Sequence, residues 1–104
     1  MRLFAFRCLD GAGSAPAREA ALAEHLAHVE KHIGDYAVAG PLKEGERTIG
    51  SLLVIKASDA AEAHLRLEAD PYFAAGVWAS ITCEEFRAVA DDWVRGAAWK
   101  RAGA

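Results

Sequence analysis

An α+β domain with the element order β-α-β-β-α-β is predicted by three features of this 104-residue sequence. Two runs rich in aliphatic, β-branched and aromatic residues, Arg2–Leu9 and Thr48–Ala57, read as strands. Two other stretches, one from Ala17 to about Ile33 and one opening at Asp59, switch to a helical period. Turn-forming clusters separate these segments, so strands and helices mix in the ferredoxin-like order.

Strand Arg2–Leu9 carries Phe4, Phe6 and Cys8 on one face and Leu3, Ala5 and Leu9 on the other. Asp10–Pro16, with Gly11, Gly13, Ser14 and Pro16, is a loop by composition: a connector or, beside a pocket, a lid. In the first helix Leu22, Leu26, Val29 and Ile33 fall at i, i+4, i+7 and i+11, which predicts the core-facing stripe. His25 lies about 70° from the centre of that stripe, at a border with solvent, and His28 points further out. Gly34 suits the helix stop.

Asp35–Ala39 is a short second strand, Ala39-Gly40-Pro41 a predicted turn and Lys43–Arg47 a charged hairpin tip around Gly45. Thr48–Ala57 follows, apolar on both faces over Leu52–Ile55. Asp59 and Glu62 have capping-box spacing at the start of the second helix, whose inner stripe is Ala60, Ala63 and Leu67. In Ala69–Trp78, Asp70 can cap a short helix that Pro71 begins, and Gly76 lets the chain leave it. Val77–Val89 is the fourth strand. Residues 1–90 thus make one domain, and residues 91–104 a tail whose Trp93 and Trp99 are expected to dock on the rest of the assembly.

With 53% hydrophobic and 26% charged residues the chain is globular, and one domain of this length buries a modest core. The formal net charge of −3, without a Lys/Arg cluster, argues against nucleic acid or an anionic membrane surface as partner. No apolar run approaches the roughly 20 residues of a membrane helix. The start, MRLFAFRCLD, is too short and too interrupted by Arg7 for a signal peptide, so a cytoplasmic location is expected. Cys8 and Cys83 make no disulfide framework and read as small strand hydrophobes. Strands one and three are apolar on both faces although both helices must pack on one. A second copy of the chain is the expected cover for the other face.

The run GSLLVIKASDAAEAHLRLEADPYFAAGVWASITCEEF, from Gly50 to Phe86, with HLAHVEKHIGDYAVAGPL from His25 to Leu42, resembles the YciI-like (YCII-related) family. The specific parts are His25-Leu26, Ala39-Gly40-Pro41, Gly50-Ser51 and Asp70-Pro71-Tyr72. The resemblance covers most of the chain. It implies a dimeric α+β barrel made of ferredoxin-like subunits, first and last strands side by side, and a site built on His25 and Asp70. Some relatives of the family are associated with dehalogenation of hydroxylated aromatics.

Imidazole titrates near neutral pH, so His25 can both take and give a proton, and a carboxylate on its second nitrogen fixes the tautomer. Spacing does not pair residues 45 positions apart; that pairing comes from the resemblance, and without it Asp70 is a helix cap. Gly40 and Pro41 are expected to shape a pocket wall by backbone geometry. Ser51, outside any strained elbow, is a poor nucleophile candidate and lends a hydroxyl to a ligand or to the sheet. Tyr72 offers a phenol to the same pocket or packs against it. His25, His28 and His32 form a stripe at i, i+3 and i+7, but the helix supplies no carboxylate or thiolate to complete a shell, so no metal is expected. His64 is a boundary residue, and no cofactor is expected, since no residue stands out as a haem ligand and no glycine-rich phosphate loop is present.

Two function classes follow. One is an acid–base enzyme of lyase, isomerase or dehydrochlorinase type acting on a small cyclic or phenolic metabolite. The other is a non-catalytic dimeric module that binds such a metabolite. Both use the same pocket, and loss of turnover without loss of binding on removing the His25 imidazole separates them.

Overall fold

Alternation along the first strand decides which face of the sheet is covered. In the computed structural model, which describes residues 1–91 and 96–97, β1 (Arg2–Asp10) buries Phe4, Phe6 and Cys8 and leaves the intervening residues partly or fully open. α1 (Ser14–Lys31) and a single 3-10 turn at Ile33–Asp35 follow, then β2 (Tyr36–Glu44) and β3 (Arg47–Ala57). α2 (Ala60–Glu68), the one-turn α3 (Pro71–Ala74) and β4 (Trp78–Phe86) complete the predicted order. The strands form an antiparallel sheet in the order β2-β3-β1-β4, with β1 central between β3 and β4. Two further residue pairs, β5 (Ala90–Asp91) and β6 (Gly96–Ala97), make a small separate ladder. Trp93, Val94 and Trp99, which the sequence assigns to a docked tail, lie outside the described residues.

Register places Phe4 opposite Ile55, Phe6 opposite Leu53 and Cys8 opposite Ser51, so these side chains share the covered face. They form one core with Ala21 of α1, Ala63 and Leu67 of α2, Tyr72 of α3, and Val77 and Trp78. Cys83 sits opposite Phe6, diagonal to Cys8 on the same face, and both thiols are free. The other face shows Leu3, Ala5, Leu9, Leu52 and Val54. All the helices contribute to the core on the opposite side.

Several expectations are corrected. The chain does not turn at Ala39-Gly40-Pro41. β2 continues to Glu44, and the reversal is a two-residue turn in which Gly45 takes φ +62. β2 is an edge strand, where a residue without an N–H is tolerated, so Pro41 sits within it. The loop before α1 is shorter than predicted and is no free lid. α1 begins at Ser14, Pro16 falls in its first turn, and the Ser14 hydroxyl donates to Val77 O and accepts from Gly11 N–H. β4 ends at Phe86 rather than Val89.

The largest correction concerns α1. Leu22, Leu26 and Ile33 are 46%, 54% and 65% exposed, whereas Ser14 and Ala21 are buried and Ala17, Arg18, His25 and His28 are half-buried. The packed face is therefore turned by about 90° from the predicted stripe, given 100° per residue. Small Ser and Ala side chains let α1 approach the body closely, while the leucines line an open cleft. The sequence stripe was real, but it faces that cleft rather than the core.

Gly50 has a steric reason. A Cβ there would lie 2.3 Å from the Cys8 carbonyl oxygen on the adjacent strand, a backbone atom that cannot swing aside. Gly50→Ala is expected to cost at least about 2 kcal/mol in urea denaturation. Gly40→Ala, with no atom within 4 Å of the added Cβ, should be neutral or slightly stabilising.

Candidate active site

Asp70 enters the site because of the chain reversal before β4. α2 is capped by Ala69, Pro71 occupies the first turn of α3, and Asp70 between them holds an extended backbone. Its Oδ1 accepts the Tyr72 backbone N–H at 2.8 Å, the predicted cap. The same oxygen lies 2.7 Å from His25 Nδ1 across the α1–α3 contact. Asp70 is 1% exposed, and Oδ2 has no hydrogen-bond partner among the described residues.

This geometry sets the imidazole's chemistry. A carboxylate oxygen can only accept, so the hydrogen between the two belongs to Nδ1. In the neutral ring Nε2 then carries the lone pair. The ring cannot swing freely, because it stacks on Tyr72 with centroids 3.8 Å apart and planes 3° from parallel. Tyr72 is itself held by the Trp78 ring, which meets it edge to face at 6.0 Å.

A second cluster sits two helical turns earlier on α1. Arg18 grips Asp10 with two nitrogens, Nε to Oδ2 at 2.5 Å and Nη2 to Oδ1 at 3.0 Å. Nη2 also donates to Ser51 Oγ at 2.8 Å, and the Trp78 indole N–H donates to the same oxygen at 3.2 Å. Side-chain exposures of 15% for Arg18 and 9% for Asp10 mark a largely desolvated ion pair.

Both clusters open on one cleft of about 750 Å³, between α1, β2 and β3. His25, Tyr72, Ser51, Gly40 and Pro41 all line it; Asp70 stands behind His25 and does not. Leu22, Leu26 and Val29 supply an apolar wall. Arg18, Asp10 and Trp78 were not singled out from the sequence. Arg18 does fall at i−7 from His25, hence on the same helical face, but its partners come from strand register that spacing does not reveal.

Glu19 and Arg47 also line the cleft, and Arg47 pairs with Glu44. Burial, with the Asp70 charge next, pushes the Cys8 thiol up to about 12, so it is not a thiolate nucleophile. The same two causes push the Tyr36 phenol up to about 12. Burial lowers His28. His28 and His32 tilt against each other at 4.7 Å while His25 turns to Asp70, and His32 Nδ1 is 3.6 Å from Asp35. Among the described residues no three His, Cys, Asp or Glu side chains come together as a metal-binding group. Nor is any helix among them long and apolar enough to cross a membrane. His64 sets its ring against Phe6 at 5.1 Å, away from the cleft lining.

A model of the YCII-related domain matches residues 2–87. Among solved structures, 5-chloro-2-hydroxyhydroquinone dehydrochlorinase (TftG) from Burkholderia phenoliruptrix, in complex with 2,5-dihydroxybenzoquinone, is 31% identical. That match covers 82% of this chain and 93% of the other, with a TM-score of 0.73. NE2512, of unknown function from Nitrosomonas europaea, is 25% identical over 85% of this chain and 91% of that one, with a TM-score of 0.46. At3g17210 from Arabidopsis thaliana is 8% identical over 88% and 98%, with a TM-score of 0.48. No curated protein matches the chain.

Asp70→Ala removes a cap and the partner of a half-buried ring, and is expected to cost about 2–4 kcal/mol in urea denaturation. Asp70→Asn keeps an oxygen for the cap and should cost less. Nitrogen chemical shifts of the neutral His25 ring should report the Nδ1–H tautomer in the wild type and a shift toward Nε2–H in Asp70→Ala. An Nε2–H ring in the wild type would contradict the geometry above.

Proposed function

The chain belongs to the YCII-related family, and from that premise we propose that it is a small-molecule enzyme in which His25, held by Asp70, moves protons on a phenolic or quinoid ring. The observation that carries this reading is the 2.7 Å contact between His25 Nδ1 and a fully buried carboxylate, which leaves Nε2 as the basic atom of a ring lining the cleft. A base held in one tautomer needs no reorganisation before proton transfer. The cleft suits a flat ring: Leu22, Leu26, Val29 and Leu53 line it together with the polar side chains of His25, Ser51 and Arg18. Gly40 and Pro41 shape the opposite wall, and Tyr72 and Ser51 contact the bound molecule.

The relative's dehydrochlorinase activity supplies the reaction class. Loss of HCl from a chlorinated hydroxyhydroquinone is redox-neutral overall. Two hydroxyl protons leave oxygen, one proton is delivered to the chlorine-bearing carbon, and chloride departs with the C–Cl electron pair, leaving a hydroxyquinone. Such a sequence needs one group that accepts a proton from oxygen and returns it to carbon. His25 is that group in this proposal.

The functional unit of the proposal is a homodimer joined through the open sheet faces. Leu3, Ala5, Leu9 and Leu52 lie on the face opposite the helices of the described residues, with Arg7 among them opposite Leu52. An interface of this kind should bury on the order of 1,500 Å² in total. Sedimentation at micromolar concentration is expected to show a dimer, and Leu52→Glu to shift it toward monomer; a wild-type monomer would end the dimer reading.

The catalytic test is chloride release from 5-chloro-2-hydroxyhydroquinone. His25→Ala is expected to slow it by roughly 10²–10⁴-fold, the usual contribution of a general acid–base, with binding retained. Wild-type protein that binds the ring without releasing chloride would instead identify a binding module.

A further inference from the structure

We propose that Ser51 and Arg18 form an oxyanion site at the end of the cleft away from His25, making the preferred ligand a planar ring with an ionised oxygen. The inference rests on the acid–base reading of His25 and adds where the ring's charge goes.

Ser51 Oγ accepts from Arg18 Nη2 at 2.8 Å and from the Trp78 indole N–H at 3.2 Å. A serine hydroxyl has two acceptor positions and one hydrogen to donate. With both acceptor positions taken by N–H donors, its hydrogen is left to give. No acceptor for it is found among the described residues, and the side chain lines the cleft while being 6% exposed. A donor so placed, unpaired and nearly dry, is complementary to an oxygen that carries negative charge.

Arg18 adds a second donor. Nε and Nη2 are committed to Asp10 and Ser51, whereas Nη1 makes no hydrogen bond with the described residues. Asp10 offsets the guanidinium charge and holds its plane. The pole is therefore a pair of oriented donors with little net charge, which suits a delocalised phenolate or enolate better than a phosphate.

Distance supports the pairing of this pole with His25. Arg18 and His25 both rest on the Tyr72 ring, whose centroid is 5.2 Å from the Arg18 guanidinium carbon and 3.8 Å from the imidazole centroid. Para oxygens on a six-membered ring are roughly 5–6 Å apart, so one ring lying past Tyr72 can offer an oxygen to each group. One ring can then give a proton to His25 at one oxygen while the charge it gains is delocalised onto the other. Ser51 and Arg18 would meet that charge. Asp10 and Trp78 act through them as positioning residues.

Binding of 2,5-dihydroxybenzoquinone, ionised at neutral pH, and of uncharged hydroquinone tests this by calorimetry on the full chain. Ser51→Ala is expected to weaken the anion roughly tenfold or more and hydroquinone less than twofold, since a hydrogen bond to a charged group is lost only in the first case. Trp78→Phe, which frees one lone pair of Ser51, should reduce the anion preference severalfold in protein that still melts cooperatively, at a lower temperature because Trp78 is part of the core. Equal losses for the two ligands, no loss in Ser51→Ala, or a wild type that does not bind the anion overturns the proposal. Should Ser51→Ala fail to fold, Arg18→Lys, which keeps the charge without the fork, is held to the same tenfold criterion. Ser51-dependent anion binding in a wild type that releases no chloride overturns the acid–base reading and leaves the oxyanion site standing.

Discussion

The buried carboxylate of Asp70 is the constraint to which most of this structure answers. An ionised group without water costs several kcal/mol unless hydrogen bonds replace its hydration. Two of those bonds come from the Tyr72 N–H and His25 Nδ1, both to one oxygen. Meeting that need requires α3 to begin where Asp70 can cap it and α1 to turn His25 inward. A helix that placed its leucines on the core would take the imidazole off the carboxylate. The rotation of α1 by about 90° from its apolar stripe is thus the geometric consequence of one charge needing a partner.

That rotation also makes the cleft. With small residues against the body, α1 approaches closely, and its leucines are left facing β2 and β3 across open space. Pro41 contributes from an edge strand, the place in a sheet where its missing N–H does no harm. The polar groups are then carried at two levels of one helix, Arg18 two turns before His25, and each is anchored on another element: Arg18 on β1 and β3, His25 on α3. Rigid anchoring of this kind keeps donors aimed without ligand-induced rearrangement.

What the sequence disclosed and what it concealed divide along the same lines. β1, β3 and the capping of α2 were legible because each depends on local pattern. Asp59 accepts the Glu62 N–H at 2.8 Å, and the Glu62 side chain reaches back to the Ser58 N–H at 3.0 Å. The inward face of α1 was not legible, because the hydrophobic period points to wherever the apolar residues are, and here they line a cleft. The turn read at Gly40-Pro41 failed for a similar reason: proline and glycine signal a break in isolation, but an edge strand absorbs both. The juxtaposition of His25 and Asp70 was inferred from family resemblance and not from spacing, since the two lie 45 positions apart with three chain reversals between them. Arg18, Asp10 and Trp78 stayed hidden because they become neighbours of Ser51 only through the β1–β3 register and the docking of α1.

The two polar clusters of the cleft also differ in the groups they present. At His25 the partner is a buried carboxylate with one oxygen unpaired among the described residues. At Ser51 the partners are N–H donors, an arrangement that favours negative charge on whatever approaches. In the proposed reaction a molecule spanning the cleft meets a proton acceptor at one end and N–H and O–H donors at the other. Hydroxylated rings conduct charge between opposite oxygens through a conjugated framework, which is the property that reaction would use, whereas an isolated saturated alcohol would engage only one end.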